Sequence, residues 1–225
     1  MVPEDRYPIR VRFSKVGSLK FISHLDLSRT MRAAFLRAKL PIWYTMGFNP
    51  HPKMVFSMPL SVGTASLCEF MDFMLTERVT FGEIVDRLNA SFPAELRAIE
   101  AYEPTTRFAD VGWATYKIVI ETPDASPELA KSILSLFDGE VIITKTTKIG
   151  TFDLDIAPLC DILSCACDGD EIAIDVMLSC DEKSFVNPKH VIEHILKSYP
   201  TLLDRGDYTV CRTNVFLPDK ETEFR

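Results

Sequence analysis

The chain has 225 residues, with 25 Lys+Arg against 32 Asp+Glu and 47 % hydrophobic residues. That composition excludes a disordered or collagen-like chain, and its length fits one large domain or two small ones. The formal charge of −7 excludes a uniformly basic nucleic-acid binder.

Ile9, Val11 and Phe13 alternate with Arg10, Arg12 and Ser14. A period of two predicts a half-buried strand. A loop from Lys15 to Ile22 follows, with Gly17 as its turn residue. Ser23 stands three residues before Asp26, an N-cap pair resembling a capping box. From there to about Lys39 the residues Leu27, Met31, Ala34, Phe35 and Ala38 recur at helical spacing, with Arg29, Arg32 and Lys39 on the other side. A Pro- and aromatic-rich loop runs from Pro41 to Lys53, then two strands, Met54–Leu60 and Cys68–Leu75, joined across Gly63. Thr80 and Glu83 open a second helix through Ile84, Val85, Leu88 and Phe92, which Pro93 ends, and Leu96–Tyr102 reads as a strand. The order strand–helix–strand–strand–helix–strand is the split βαβ arrangement of ferredoxin-like domains.

The same order starts again. Tyr116, Ile118 and Ile120 alternate in a strand, and Ser126-Pro127-Glu128 opens a helix to about Phe137. Val141–Thr146 and Thr151–Ile156 read as strands around Gly150. Ile162–Cys167 and Glu171–Leu178 read as an added hairpin turned at Asp168-Gly169. Asn187-Pro188 caps a helix to about Ser198, and Tyr208–Phe216 closes with a strand. The expected architecture is α+β, with two tandem ferredoxin-like units, residues 1–106 and 107–225, the second carrying the extra hairpin. One continuous α+β sheet domain is the alternative.

Charge is distributed unevenly along the chain. Residues 1–60 hold 10 Lys+Arg against 3 Asp+Glu, whereas residues 61–225 hold 15 against 29. A basic first part suits phosphate contact, and equally suits facing the acidic part within one molecule or a dimer. No apolar run approaches a membrane span, and the N-terminal stretch lacks the apolar core of a secretory leader. Six cysteines in that setting point to free thiols in a reducing, cytoplasmic compartment.

The densest cluster of chemistry lies between Arg12 and Gly63. Gly47-Phe48-Asn49-Pro50-His51-Pro52-Lys53 forms a stiff loop, because two prolines fix their own φ. An aromatic and basic residues on such a loop suit stacking on a base with phosphate contact. The alternative is a turn whose Phe48 fills the core. With helices covering one sheet face, Arg10 and Arg12 are expected on the open one. Phosphate contacts are expected from Arg10, Arg12, Lys15, Lys20, Arg29, Arg32 and Lys53, and base contacts from Phe48 and His51. His24 and Asp26 at the helix start form an acid–base pair or, more simply, part of the cap.

Metal chemistry is weakly supported. Cys160, Cys165, Cys167, Cys180 and Cys211 contain no C-x-x-C pair. His190 and His194 lack the H-E-x-x-H pattern, and Asp153, Asp155 and Asp161 read as a solvated face before they read as an ion site. No cofactor and no metal site are expected.

The run from Arg12 to Glu69 resembles the bacterial radical-SAM-linked family, a domain of unknown function. The matching pieces are Phe13-Ser14-Lys15 with Gly17, Phe21-Ile22-Ser23-His24-Leu25-Asp26, Arg29, Arg32-Ala33, Arg37-Ala38, Leu40-Pro41, Gly47 to Lys53, and Pro59-Leu60-Ser61-Val62-Gly63 with Glu69. A weaker resemblance runs on through the Asp153–Leu159 stretch to Arg212. Members occur alone or fused after a radical-SAM protein with a cobalamin-binding-like domain, so the resemblance implies a radical-SAM partner. This chain lacks that enzyme's cluster motif. The expectation is a non-catalytic accessory module that binds RNA, tRNA or rRNA, and presents it to a separate radical-SAM enzyme. The alternatives are a module docking on such a partner without RNA, and an enzyme using His24 and Asp26.

Overall fold

The side chains of Ile9, Val11 and Phe13 are buried, and their alternation sets the first strand, β1 (Tyr7–Lys15). It belongs to a computed structural model that describes residues 6–147, 150–181 and 183–225. The chain divides into two units, Met1–Phe108 with Arg225, and Ala109–Phe224. The fold is mixed α+β, with four α-helices among the described residues.

In the first unit β1 is followed by a 3-10 turn (Gly17–Phe21), α1 (His24–Ala38), β2 (Val55–Phe56), β3 (Thr64–Leu75), α2 (Phe81–Ser91) and β4 (Leu96–Tyr102). β1 lies between β4 and β3, antiparallel to both, and β2 pairs antiparallel with β3. Each helix begins where its sequence supplies a hydroxyl. Ser23 accepts from the Asp26 amide and Thr80 from the Glu83 amide, each satisfying one orphan helix donor. Leu27, Met31 and Phe35 of α1 and Ile84 and Leu88 of α2 meet Ile9, Val11, Phe13, Met71 and Phe73 in one core. Each such side chain contributes about 1.5–3 kcal/mol on burial.

The Lys15–Ile22 stretch is more ordered than a loop. Gly17 sits at φ 58°, where a Cβ would collide with the Glu95 carboxylate. Glu95 accepts from the Ser18 amide at 2.9 Å, from the Ser18 hydroxyl and from the Leu19 amide, and so caps the 3-10 turn. The strand expected over Met54–Leu60 contracts to Val55–Phe56, since Pro52 and Pro59 bracket it and cannot donate to a ladder.

The second unit runs β5 (Trp113–Glu121), α3 (Pro127–Ser135), β6 (Ile142–Thr147), β7 (Gly150–Asp155), β8 (Cys160–Asp168), β9 (Glu171–Ser179), α4 (Lys189–Ser198) and β10 (Asp207–Phe216). Its sheet order is β10-β5-β9-β8, antiparallel throughout. Among the described residues β6 and β7 pair only with each other. The hairpin outside the sheet is therefore β6–β7, and the pair read as an addition, Ile162–Cys167 with Glu171–Leu178, forms two sheet strands. The reason is burial: Ile172, Ile174, Val176 and Leu178 are fully buried, whereas β7 presents Thr151, Phe152 and Asp153 to solvent.

Candidate nucleic-acid interface

Between Trp43 and Val55 the chain leaves the first unit's sheet and returns. The Trp43 amide donates to the Met74 carbonyl at 2.8 Å, and Val55 pairs with Asp72. A bridge between Tyr44 and Pro52 closes the root of the projecting loop. The Thr45 amide donates to the His51 carbonyl at 2.9 Å, and the His51 amide donates to the Thr45 hydroxyl at 3.2 Å. The His51 ring Nδ1 lies 3.0 Å from the Asn49 carbonyl and 3.2 Å from the Thr45 hydroxyl. A carbonyl only accepts, so in the neutral ring Nδ1 carries the proton and Nε2 keeps a lone pair for an outside donor.

This braced loop carries Met46 and Phe48 outward. Phe48 is fully exposed, at 112 % of its reference area, and Met46 is 74 % exposed. Phe48 therefore does not fill the core. His51 and Lys53 are also exposed. Arg29 and Arg32 lie on the solvent side of α1, between the exposed Leu25 and Leu36. Arg29 makes a 3.0 Å ion pair with Asp26, and its side chain stays 66 % exposed. Lys20 is half-buried, with Nζ 5.0 Å from the centre of the Phe21 ring.

Three expected phosphate ligands are drawn inward. Arg10 is 1 % exposed and does not project from an open face. Its guanidinium donates to both Asp72 carboxylate oxygens and to the Thr106 hydroxyl and carbonyl, and lies 4.4 Å over the Phe108 ring. Arg12 is 24 % exposed, with its Nη1 3.8 Å from Glu100. Lys15 is 2 % exposed and faces the helix side of the sheet, because the period-two alternation of β1 places it on the same face as Ile9, Val11 and Phe13. With Ser23, His24, Phe56 and the buried Glu69 it lines a cavity of about 10 Å³, too small for a base or a phosphate group.

The acid–base reading of His24 and Asp26 finds a simpler explanation here. The Ser23 hydroxyl and the Arg29 guanidinium hold the Asp26 carboxyl below its ordinary value, so it stays ionised and has no proton to give at neutral pH. The His24 ring packs edge-on against Phe56, centroids 5.1 Å apart. Among the described residues no group of three or more His, Cys, Asp and Glu converges as metal ligands do. Asp153 accepts from Thr144, Asp155 from the Val141 and Ala157 amides, and Asp161 from Lys220. Burial pushes the Cys160 thiol up to about 12 and the Cys165 thiol up to about 11, so neither is a nucleophile at neutral pH. His190 and His194 point to Glu193 and to the Leu136 carbonyl, not to each other.

A family model described as an uncharacterized protein conserved in bacteria, DUF2344, matches residues 8–188. The chain belongs to the DUF2344 family. That description names no reaction, ligand or partner. The match covers the whole braced loop and every residue expected at the interface. No curated protein matches the chain.

Two residues of this DUF2344 loop carry no periodic signal in the sequence pattern. Thr45 supplies the brace and Met46 shares the tip. Met46 directly precedes Gly47-Phe48, which was the available signal. A hydroxyl six residues before His51 belongs to no periodic pattern that would mark it.

Proposed function

We propose that this chain is a non-catalytic, cytoplasmic accessory module that binds RNA, tRNA or rRNA, and presents it to a separate radical-SAM enzyme. The observation that carries the reading is the fully exposed Phe48 on a braced loop, with His51 and Lys53 beside it in sequence. A large aromatic ring held in water offers a stacking face without reorganisation, and base–aromatic stacking contributes about 1–3 kcal/mol per base. Lys20, Arg29, Arg32 and Lys53 supply the phosphate contacts, in place of the buried Arg10 and Lys15. The radical-SAM partner follows from the family resemblance of the Arg12–Glu69 run. Each unit is read as ferredoxin-like. Supporting this, β1, α1, β2, β3, α2 and β4 follow one another in that order, as do β5, α3, β8, β9, α4 and β10 once β6–β7 is set aside.

The test is binding of total RNA across a salt series by the parent protein, Phe48→Ala and the double variant Arg29→Glu/Arg32→Glu. Parent binding should fall steeply with salt, the double variant should show a shallower slope, and Phe48→Ala should bind weakly at every salt concentration. Absence of parent binding at low salt would sink the reading.

A second reading rests on Met46. The stretch from Leu40 to Pro52 contains no charged residue, and its tip carries two apolar side chains. Such a tip also fits an apolar pocket on the radical-SAM partner with no RNA involved. Pull-down of that enzyme by nuclease-treated protein, abolished by Met46→Asp, would favour it.

A further inference from the structure

At the opposite end of β1 from Lys15, the first unit holds a cavity of about 540 Å³. Its volume is that of a small-ligand site. The wall is apolar and partly aromatic, formed by Tyr7, Ile9, Leu75, Val79 and Phe81. Phe81 is 46 % exposed, so one ring is available to a ligand. Arg6 and Arg78 also line the cavity. Neither has a carboxylate partner among the described residues. Each instead rests on an aromatic ring, Arg6 at 4.5 Å from the centre of Trp43 and Arg78 at 5.0 Å from the centre of Tyr7. A guanidinium stacked on a ring is held in place while its N–H groups stay free to donate. Glu103, the one carboxylate of the wall, is exposed and accepts hydrogen bonds only.

We propose that this cavity binds a nucleoside monophosphate group. Its phosphate lies between Arg6 and Arg78, its base lies against Phe81, and its sugar hydroxyl faces Glu103. Two guanidinium groups that line one cavity against a single carboxylate, Glu103, supply the charge and the forked donors that a phosphate dianion accepts. An apolar ring wall beneath them rejects a bare inorganic ion and favours a ligand with a planar body. The group comes either from a free nucleotide or from the phosphorylated end of an RNA strand. The proposal goes beyond the loop reading, because no residue of Thr45–Lys53 lines the cavity.

Trp43, under Arg6, is a built-in reporter once the other tryptophan is replaced by Trp113→Phe. In that background, and in the unaltered protein by calorimetry, we would titrate adenosine monophosphate, adenosine, inorganic phosphate, and one tetranucleotide with a 5′-phosphate or a 5′-hydroxyl end. The expected result is saturable heat and a saturable Trp43 signal with adenosine monophosphate. Affinity should fall about tenfold or more for adenosine, and likewise in Arg6→Ala and in Arg78→Ala, since each change removes charge-assisted hydrogen bonds. A preference for the phosphorylated tetranucleotide over free nucleotide would assign the site to RNA ends, and the reverse to free nucleotide. Both arginines are at the surface, so the variants should melt as the parent does. Phe48→Ala should leave nucleotide affinity unchanged, which separates failure here from failure of the loop reading. No heat at millimolar nucleotide, equal binding of adenosine, or unaltered affinity in Arg78→Ala would overturn the proposal.

Discussion

The Arg10 guanidinium grips the Asp72 carboxylate with two parallel hydrogen bonds, Nε to Oδ1 at 2.7 Å and Nη2 to Oδ2 at 2.8 Å. The pair joins β1 to β3 through side chains at the register position where Arg10 faces Asp72. Removing the arginine would leave a partly buried carboxylate without its fork and a hole under Phe108. Arg10→Ala should therefore cost about 3 kcal/mol of stability. Urea denaturation measures it, and a loss below about 1 kcal/mol, the range of an exposed pair, would mean the contact is ornamental.

Phe48 gives the opposite signature. A side chain in water holds nothing together, so Phe48→Ala should change stability by no more than about 0.5 kcal/mol. RNA affinity should nevertheless drop by about 1–3 kcal/mol. A large fall in melting temperature would show that Phe48 packs somewhere in solution, against its exposure here.

Glu95 makes the acid side of the stability curve testable. Hydrogen bonds from the Ser18 hydroxyl, and then from the Ser18 and Leu19 amides, hold its carboxyl below the usual value of 4.5. Its folded value thus lies below its unfolded one. The stabilisation is complete above the unfolded value and is lost as pH falls through the folded value. Glu95→Gln should be less stable than the parent at neutral pH, and the gap should narrow as acid takes the pH down through the lowered folded-state value. A gap that stays constant across that range would assign the role to shape, not charge.

The cysteines separate by burial. With thiols pushed up to about 12 and about 11, Cys160 and Cys165 should stay unmodified by iodoacetamide in the native state near neutral pH, and react once the protein is unfolded. Mass spectrometry of the digested protein reads each site. Native alkylation of Cys160 at the rate of a free thiol would contradict its place in the core.

Local signals in the sequence were legible and non-local ones were not. Ser23, Thr80 and Ser126 are side chains whose oxygen bonds an amide three residues on, and all three helix starts follow from them. The apolar stripe from Leu27 to Ala38 fixes which side of α1 is buried. By contrast, Arg10 alternates with apolar neighbours as a solvent-facing residue does. Asp72, Thr106 and Phe108, 62 or more residues away, turn its face into an interior. The Asp168-Gly169 turn announces a hairpin but says nothing of whether that hairpin pairs onward. β9 does so with β5, a partner set by strands far apart in the chain. At the interface, the prolines announced a stiff loop. Which way Phe48 faces depends on Thr45 and His51 closing on each other.

That closure decides how the loop would meet a partner. Its brace is made within Thr45–His51, so its shape is set when the chain folds and not when something binds. Association then orders few torsions. An encounter with the proposed partner would then be lock-and-key, with an on-rate governed by diffusion and charge and not by loop closure. Thr45→Val keeps the side-chain shape and removes the hydroxyl that the His51 amide donates to, shifting part of that ordering to the moment of binding.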